Sequence, residues 1–169
     1  MIIKLSRNDE IRAHVTAMAR IREIEGSPDH HSRHNKAINF HEYVSEVAES
    51  IGAEMAMARY FGDHDFQPTI NTFKQEADYG SNIEVKWTKY ESGSLILGNT
   101  DRDSDIAVLI VGRSPVYRIA GWIPVVMGRR DRYYLAKQRS WWIGQSNLQS
   151  IETLKRSSYG EMASKVPNL

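Results

Sequence analysis

Two long amphipathic segments followed by a series of short apolar runs make up the pattern of this chain. Over 8–25, Ile11, Val15, Met18, Ile21 and Ile24 recur at helical spacing, with Asn8 or Asp9 as cap and Gly26 and Pro28 as stop. A second, longer helix is predicted over 37–61 and ends at Gly62. Its apolar stripe is Phe40, Val44, Val47, Ile51, Met55 and Ala58, and Glu42, Glu46 and Glu49 fall on the opposite, solvated side. Short strands are predicted over 69–73, 77–79, 82–88 and 94–97. Residues 105–111, DIAVLIV, are apolar without alternation, which predicts a strand covered on both faces. The sheet continues over 116–126, with Pro124 near its end. A turn or short helix at 127–132, a strand at 133–136 and a helix at 148–155 follow. The Ser-rich tail from Ser157 is expected to be loosely held.

This order predicts an α/β (α+β) chain with a central mixed β-sheet flanked by helices. No internal repeat or linker divides it, so 1–169 reads as one domain. Within it, 1–36 is a helix-and-loop extension, 37–156 the core and 157–169 the tail.

Composition narrows the function classes. Cysteine is absent, which removes disulfides, thiolate metal sites and cysteine nucleophiles. No run is long and apolar enough for a membrane span, and MIIKLSRNDEIR turns polar too soon for a secretory signal, so the expectation is a cytoplasmic protein without a membrane partner. Net charge is +1, too balanced for a general nucleic-acid coat. The charge is nevertheless uneven. Residues 113–139 carry Arg113, Arg118, Arg129, Arg130, Arg132, Lys137 and Arg139 against the single acid Asp131, a surface that suits phosphates.

Candidate chemistry concentrates in Asp78 to Lys86, DYGSNIEVK. Glu84 and Lys86 are two apart on a predicted strand and leave the same face, while Val85 and Trp87 leave the other and pack inward. A turn at Tyr79-Gly80-Ser81-Asn82 folds Asp78 back beside Glu84. Two carboxylates beside one ammonium suit a divalent metal with a polarising lysine, the requirements of phosphodiester cleavage. Glu54 is the odd acid of the second helix. At about 100° per residue it projects about 60° from Ile51, on the edge of the apolar stripe. A carboxylate there is paired or binds a metal. Gly52 lets a neighbouring strand approach closely, which is expected to bring Glu54 toward Glu84.

These residues resemble the PD-(D/E)XK nuclease superfamily, in which a helix glutamate precedes an aspartate and then a Glu-x-Lys on a strand. The match is Glu54, Asp78, Glu84 and Lys86, within GAEMAMARYFG, NTFK and DYGSNIEVKWT, and the later DIAVLIV and YRIAGWI runs also fit. It covers about Phe40 to Ile123, and Ala77 stands where the motif's name has proline. The resemblance implies a restriction-endonuclease-like core in the order helix, three strands, helix, strand. It implies a Mg²⁺- or Mn²⁺-dependent deoxyribonuclease, selective for junctions or branched DNA or acting as an exonuclease. Asp78 and Glu84 would ligate the ion with the Val85 carbonyl, Glu54 would be a further ligand, and Lys86 would orient the attacking water. DNA is the implied partner, a homodimer would suit the cutting of two strands, and Thr88, Lys74, Gln75, Arg129, Arg130 and Arg139 are candidate phosphate contacts.

Trp141-Trp142, beside Arg139, is a candidate DNA or dimer contact, with at least one of the pair expected in the core. His30 or His31 with His34 has a zinc-like spacing, but the polar loop around them favours a solvated role. The alternative reading is a DNA-binding or interaction protein that does not cut, on a nuclease-like fold.

Overall fold

The computed structural model describes residues 1–24, 38–70 and 76–164. The chain opens with β1 (Ile2–Lys4), α1 (Arg7–Ile24) and α2 (Phe40–Phe61). Strands β2 (Ile83–Thr88), β3 (Leu95–Leu97), β4 (Ile106–Arg113) and β5 (Val116–Pro124) follow, then the single turn α3 (Val125–Gly128). The chain closes with β6 (Tyr134–Leu135), β7 (Ser140–Ile143), α4 (Ile151–Leu154) and α5 (Ser158–Ser164).

The second helix forms where the sequence provides its ends. Asn39 and Glu42 make a reciprocal capping box, the Glu42 N–H donating to Asn39 Oδ1 at 2.9 Å and the Asn39 N–H to Glu42 Oε2 at 3.2 Å. Gly62, at φ 84°, takes the left-handed conformation that ends the helix. From Ile51 to Ala58 the helix is buried on every side, and its Gly, Ala and Met residues suit that crowding.

The first helix departs from expectation in cap and face. Its cap is Ser6, which exchanges hydrogen bonds with Asp9, rather than Asn8 or Asp9 itself. The predicted apolar stripe points largely outward, with Ile11 54%, Val15 65% and Met18 47% exposed. The buried face is Asp9, Ala13, Ala17, Arg20 and Ile21. Small alanines admit α2 closely, and the polar members are paired. Asp9 accepts from Arg59 at 2.7 Å, and Arg20 grips Glu54.

The main sheet is mixed, in the order β1-β5-β4-β2, with β2 parallel to β4 and the other pairs antiparallel. A second, antiparallel sheet runs β3-β7-β6. The central strand β4 is covered on both faces, as its unbroken apolar run predicts. Ile106, Val108 and Ile110 join α1 and α2 in one core, while Ala107, Leu109 and Val111 join Leu95, Leu97 and Ile143 in the other. The chain is therefore a mixed α/β fold with a mixed sheet flanked by helices. Four strands, β2 to β5, follow α2 before the next helix, α3, whereas the resemblance implies three.

Other local differences have plain causes. The strand expected at 77–79 is only a bridge between Tyr79 and Ile83, because the Val85 N–H that the next rung would need donates to the Asp78 carboxylate instead. Residues 71–73 of the strand expected at 69–73 lie outside the described residues. The tail up to Ser164 is held rather than loose: α5 buries Ala163, and Tyr159 meets the Trp122 ring edge-on. Glu46 and Glu49 are paired rather than simply solvated, Glu46 with Lys89 at 3.2 Å and Glu49 with the Tyr117 hydroxyl at 2.7 Å. Among the described residues no helix is long and apolar enough to cross a membrane.

Candidate active site

The turn before β2 builds the site. Gly80 adopts φ 59°, open to glycine, and the Tyr79 and Ile83 amide groups hydrogen-bond reciprocally across the turn. The tail helix buttresses it: the Ser81 hydroxyl donates to the Met162 carbonyl at 3.2 Å, and Asn82 Nδ2 to that of Tyr159 at 3.4 Å. Asp78 is thereby folded back along the strand, where its Oδ2 accepts the Val85 N–H at 2.9 Å.

Strand alternation sorts the next residues. Val85 and Trp87 pack against the α2 core, and the Trp87 indole donates to the Gly112 carbonyl at 3.0 Å. Glu84 and Lys86 leave the other face, in register with Ala107 and Leu109, toward the second sheet. Lys86 Nζ donates to Glu84 Oε1 at 2.9 Å and to Asp101 Oδ1 at 2.6 Å.

Asp101 is the residue that sequence reasoning missed. It lies in the loop between β3 and β4, its side chain only 8% exposed, and its Oδ2 accepts the Gly98 N–H at 2.7 Å. Arg129 fastens that loop: its guanidinium donates to the Asp101 carbonyl, to the Gly98 carbonyl at 2.7 Å and to Asp103 Oδ1 at 2.7 Å. No spacing rule marks Asp101 among its neighbours Asp103 and Asp105. The signal that could have found it is charge balance, since a lysine buried beside one glutamate attracts a second acid.

The electrostatics follow from this crowding. Burial raises the Glu84 pKa, Lys86 pulls it down, and the nearby Asp78 and Asp101 push it up, leaving it above the ordinary carboxylate value. Burial alone would lower Lys86, but Glu84 and Asp101 hold its pKa above the ordinary value. Lys86 is therefore an ammonium at neutral pH. It can donate hydrogen bonds and stabilise negative charge, and it is a poor proton acceptor.

Glu54 is held by the first helix. It is 5% exposed in the α2 layer, and Arg20 holds it bidentately, Nη1 to Oε1 at 2.8 Å and Nη2 to Oε2 at 2.7 Å. The strand admitted by Gly52 is β5 rather than β2: a Cβ at Gly52 would lie 2.2 Å from the Tyr117 hydroxyl oxygen. The close approach expected to carry Glu54 toward Glu84 thus serves another contact. Burial alone would lower the Arg20 pKa, but Glu54 and the charge of Asp78 hold it above the ordinary value.

The remaining candidates are scattered. Thr88 shares the Glu84 face, and its hydroxyl accepts the Tyr90 N–H at 3.3 Å. Arg129 is committed to the Asp101 loop, whereas Arg130 and Arg139 are exposed around β6 and β7. Trp141 belongs to the second core and lies under Arg129 at 5.4 Å, while Trp142 is half-buried and donates to the Ser140 hydroxyl at 2.9 Å. Lys74, Gln75, His30, His31 and His34 lie outside the described residues.

Among the described residues, no three carboxylate or imidazole groups converge closely enough to enclose a metal ion alone. The donors at hand are oxygen-only, those of Asp78 and Glu84, with acid in excess of ammonium. That set fits a hard cation that keeps most of its own water, as Mg²⁺ does. No family model, curated protein sequence or solved structure matches the chain, so the function of this cluster is read from its own chemistry.

Proposed function

We propose that the chain is a metal-dependent nuclease that hydrolyses DNA phosphodiester bonds at Asp78, Glu84 and Lys86. The observation that supports it best is the Lys86 ammonium, fixed between Glu84 and Asp101 on the strand against which Asp78 is folded. Asp78 and Glu84 would hold Mg²⁺ or Mn²⁺, with the Val85 carbonyl near at hand. Bound there, the ion supplies a Lewis acid for the scissile phosphate and lowers the pKa of an attacking water.

The chain's own groups do the rest. Lys86 presents N–H donors to a phosphate oxygen or to the water, and its charge opposes the negative charge that develops as the phosphate is attacked. Asp101 keeps the Lys86 side chain in place and ionised. Glu54 and Arg20 stiffen the helical layer beside Asp78. Cutting both strands of a duplex would call for two copies of the chain, and a cytoplasmic location accords with this reading.

One observation favours a second reading, a nuclease-like fold that binds DNA or a partner without cutting. Lys86 already has two carboxylate partners, as a purely structural lysine would. The discriminating experiment is cleavage of a labelled panel of single-stranded, duplex, flap, nicked and four-way-junction DNA. Wild type would be compared with Lys86→Ala, each with Mg²⁺ and with EDTA. Metal-dependent cutting that disappears in a folded Lys86→Ala supports the nuclease. Retained DNA binding with no cutting of any substrate supports the second reading.

A further inference from the structure

We infer that the hairpin of β6 and β7, with the approach to it from α3, is a grip for the phosphate backbone of a DNA strand passing the Lys86 site. The first observation is an imbalance of partners. Lys86, Lys89, Arg20, Arg59, Arg102, Arg118 and Arg129 are each in an ion pair. Arg130, Arg132, Lys137 and Arg139 are all exposed, and among the described residues none pairs with a carboxylate. The Arg130 guanidinium donates to the Met127 sulfur, and Arg132 lies over the Tyr133 ring. Four cations on ten residues, against Asp131 alone, complement a polyanion.

The second observation is Arg139 itself. It sits at φ 51°, in the left-handed region that residues other than glycine and asparagine seldom occupy. The turn is closed by the Gln138 N–H to the Leu135 carbonyl at 3.1 Å and the Arg139 N–H to that of Ala136 at 3.3 Å. A glycine would fit this backbone with less strain, so the arginine is there for its side chain.

Continuity with the site is the third observation. The Arg129 that fastens the Asp101 loop also lies over Trp141 at 5.4 Å, and the Trp141 ring meets Tyr134 of β6 at 5.1 Å. An unbroken run of contacts therefore joins Lys86 to the hairpin. The inference rests on the nuclease reading only for what the grip delivers its strand to, since binding can be measured without cutting.

The test is fluorescence anisotropy with a labelled DNA duplex in EDTA across a salt series. Wild type would be compared with Arg139→Gly, with Arg139→Gly combined with Arg130→Gln, Arg132→Gln and Lys137→Gln, and with Lys86→Ala. Each neutralised contact should reduce the slope of log affinity against log salt by about 0.9, and all four by about 3.6. Over about 50 to 200 mM salt, wild type should then lose roughly a hundredfold more affinity than the four-site variant. Arg139→Gly should keep or raise Tm while weakening binding, whereas a structural role for the arginine requires Tm to fall.

An unchanged slope in the four-site variant overturns the inference, as does wild type that binds no DNA. Loss of binding to phosphatidylserine vesicles with DNA binding intact also overturns it. If the hairpin variants bind normally while metal-dependent cutting still needs Lys86, the grip fails and the nuclease reading stands. If they lose DNA binding while Lys86→Ala cuts at the wild-type rate, the grip stands and the assignment of cutting to Lys86 fails.

Discussion

Removing one partner of the Arg20–Glu54 pair tests how the helical layer is held. The two guanidinium nitrogens lie 2.8 and 2.7 Å from the two carboxylate oxygens, and Arg20 Nε also donates to the Thr69 carbonyl at 2.7 Å. The residues are 7% and 5% exposed, so little water can replace either partner. Arg20→Met keeps the aliphatic stem and deletes the charge, which leaves Glu54 buried without its arginine. Breaking a buried pair in this way costs about 3–5 kcal/mol, which for a chain of this size lowers Tm by roughly 6–20 °C. The double variant Arg20→Met with Glu54→Met removes the buried carboxylate as well and should recover most of that loss. Urea unfolding of wild type, both single variants and the double variant gives the coupling directly. A cost below about 1 kcal/mol for Arg20→Met, or no recovery in the double variant, would refute the reasoning.

Two further perturbations address the packing of α2 and the cap of α1. Gly52→Ala places a methyl group 2.2 Å from the hydroxyl oxygen of Tyr117, a rigid, fully buried ring whose hydroxyl donates to Glu49 at 2.7 Å. Overpacking costs about 1–3 kcal/mol and a strained charged hydrogen bond about 1.5–3 more, against about 1 kcal/mol of helix propensity gained, so thermal melting should show net destabilisation, partly relieved by Tyr117→Phe. At Asp9, burial raises the pKa, but hydrogen bonds from Ser6 and the charge of Arg59 bring it below the ordinary value. Its contribution is therefore present above the unfolded carboxylate pKa and lost as pH falls through the lower folded value. Tm measured from neutral to acid pH should fall more steeply for wild type than for Asp9→Asn, and parallel curves would contradict the assignment.

What could be read in the sequence was what hydropathy and turn chemistry encode locally. The stop at Gly62 fixes the end of α2, the unbroken DIAVLIV run marks a strand covered on both faces, and the YGSN turn returns Asp78 to its strand. The outward stripe of α1 was illegible for a physical reason. Its inner face is built of alanines and ion pairs, so the largest apolar residues do not mark it. Glu54 shows the limit of single-helix geometry. Its position on the apolar edge correctly requires a partner, but Arg20 lies 34 residues earlier on another helix. Asp101 is hidden for the same reason, because only tertiary contact distinguishes it from the other acids of its loop.

The central claim is that Lys86, held by Glu84 and Asp101, acts on a phosphodiester. Its most direct test is the single-turnover cleavage rate of a labelled DNA substrate with Mg²⁺, for wild type, Lys86→Ala, Asp101→Asn and the control Lys89→Ala, each checked for an unchanged melting profile. Lys86→Ala should slow cutting by about 10²–10³-fold, as loss of a transition-state donor does, and Asp101→Asn by about 10–100-fold, as loss of a positioning partner does. Lys89→Ala should cut like wild type. A folded Lys86→Ala that cuts at the wild-type rate would contradict the account.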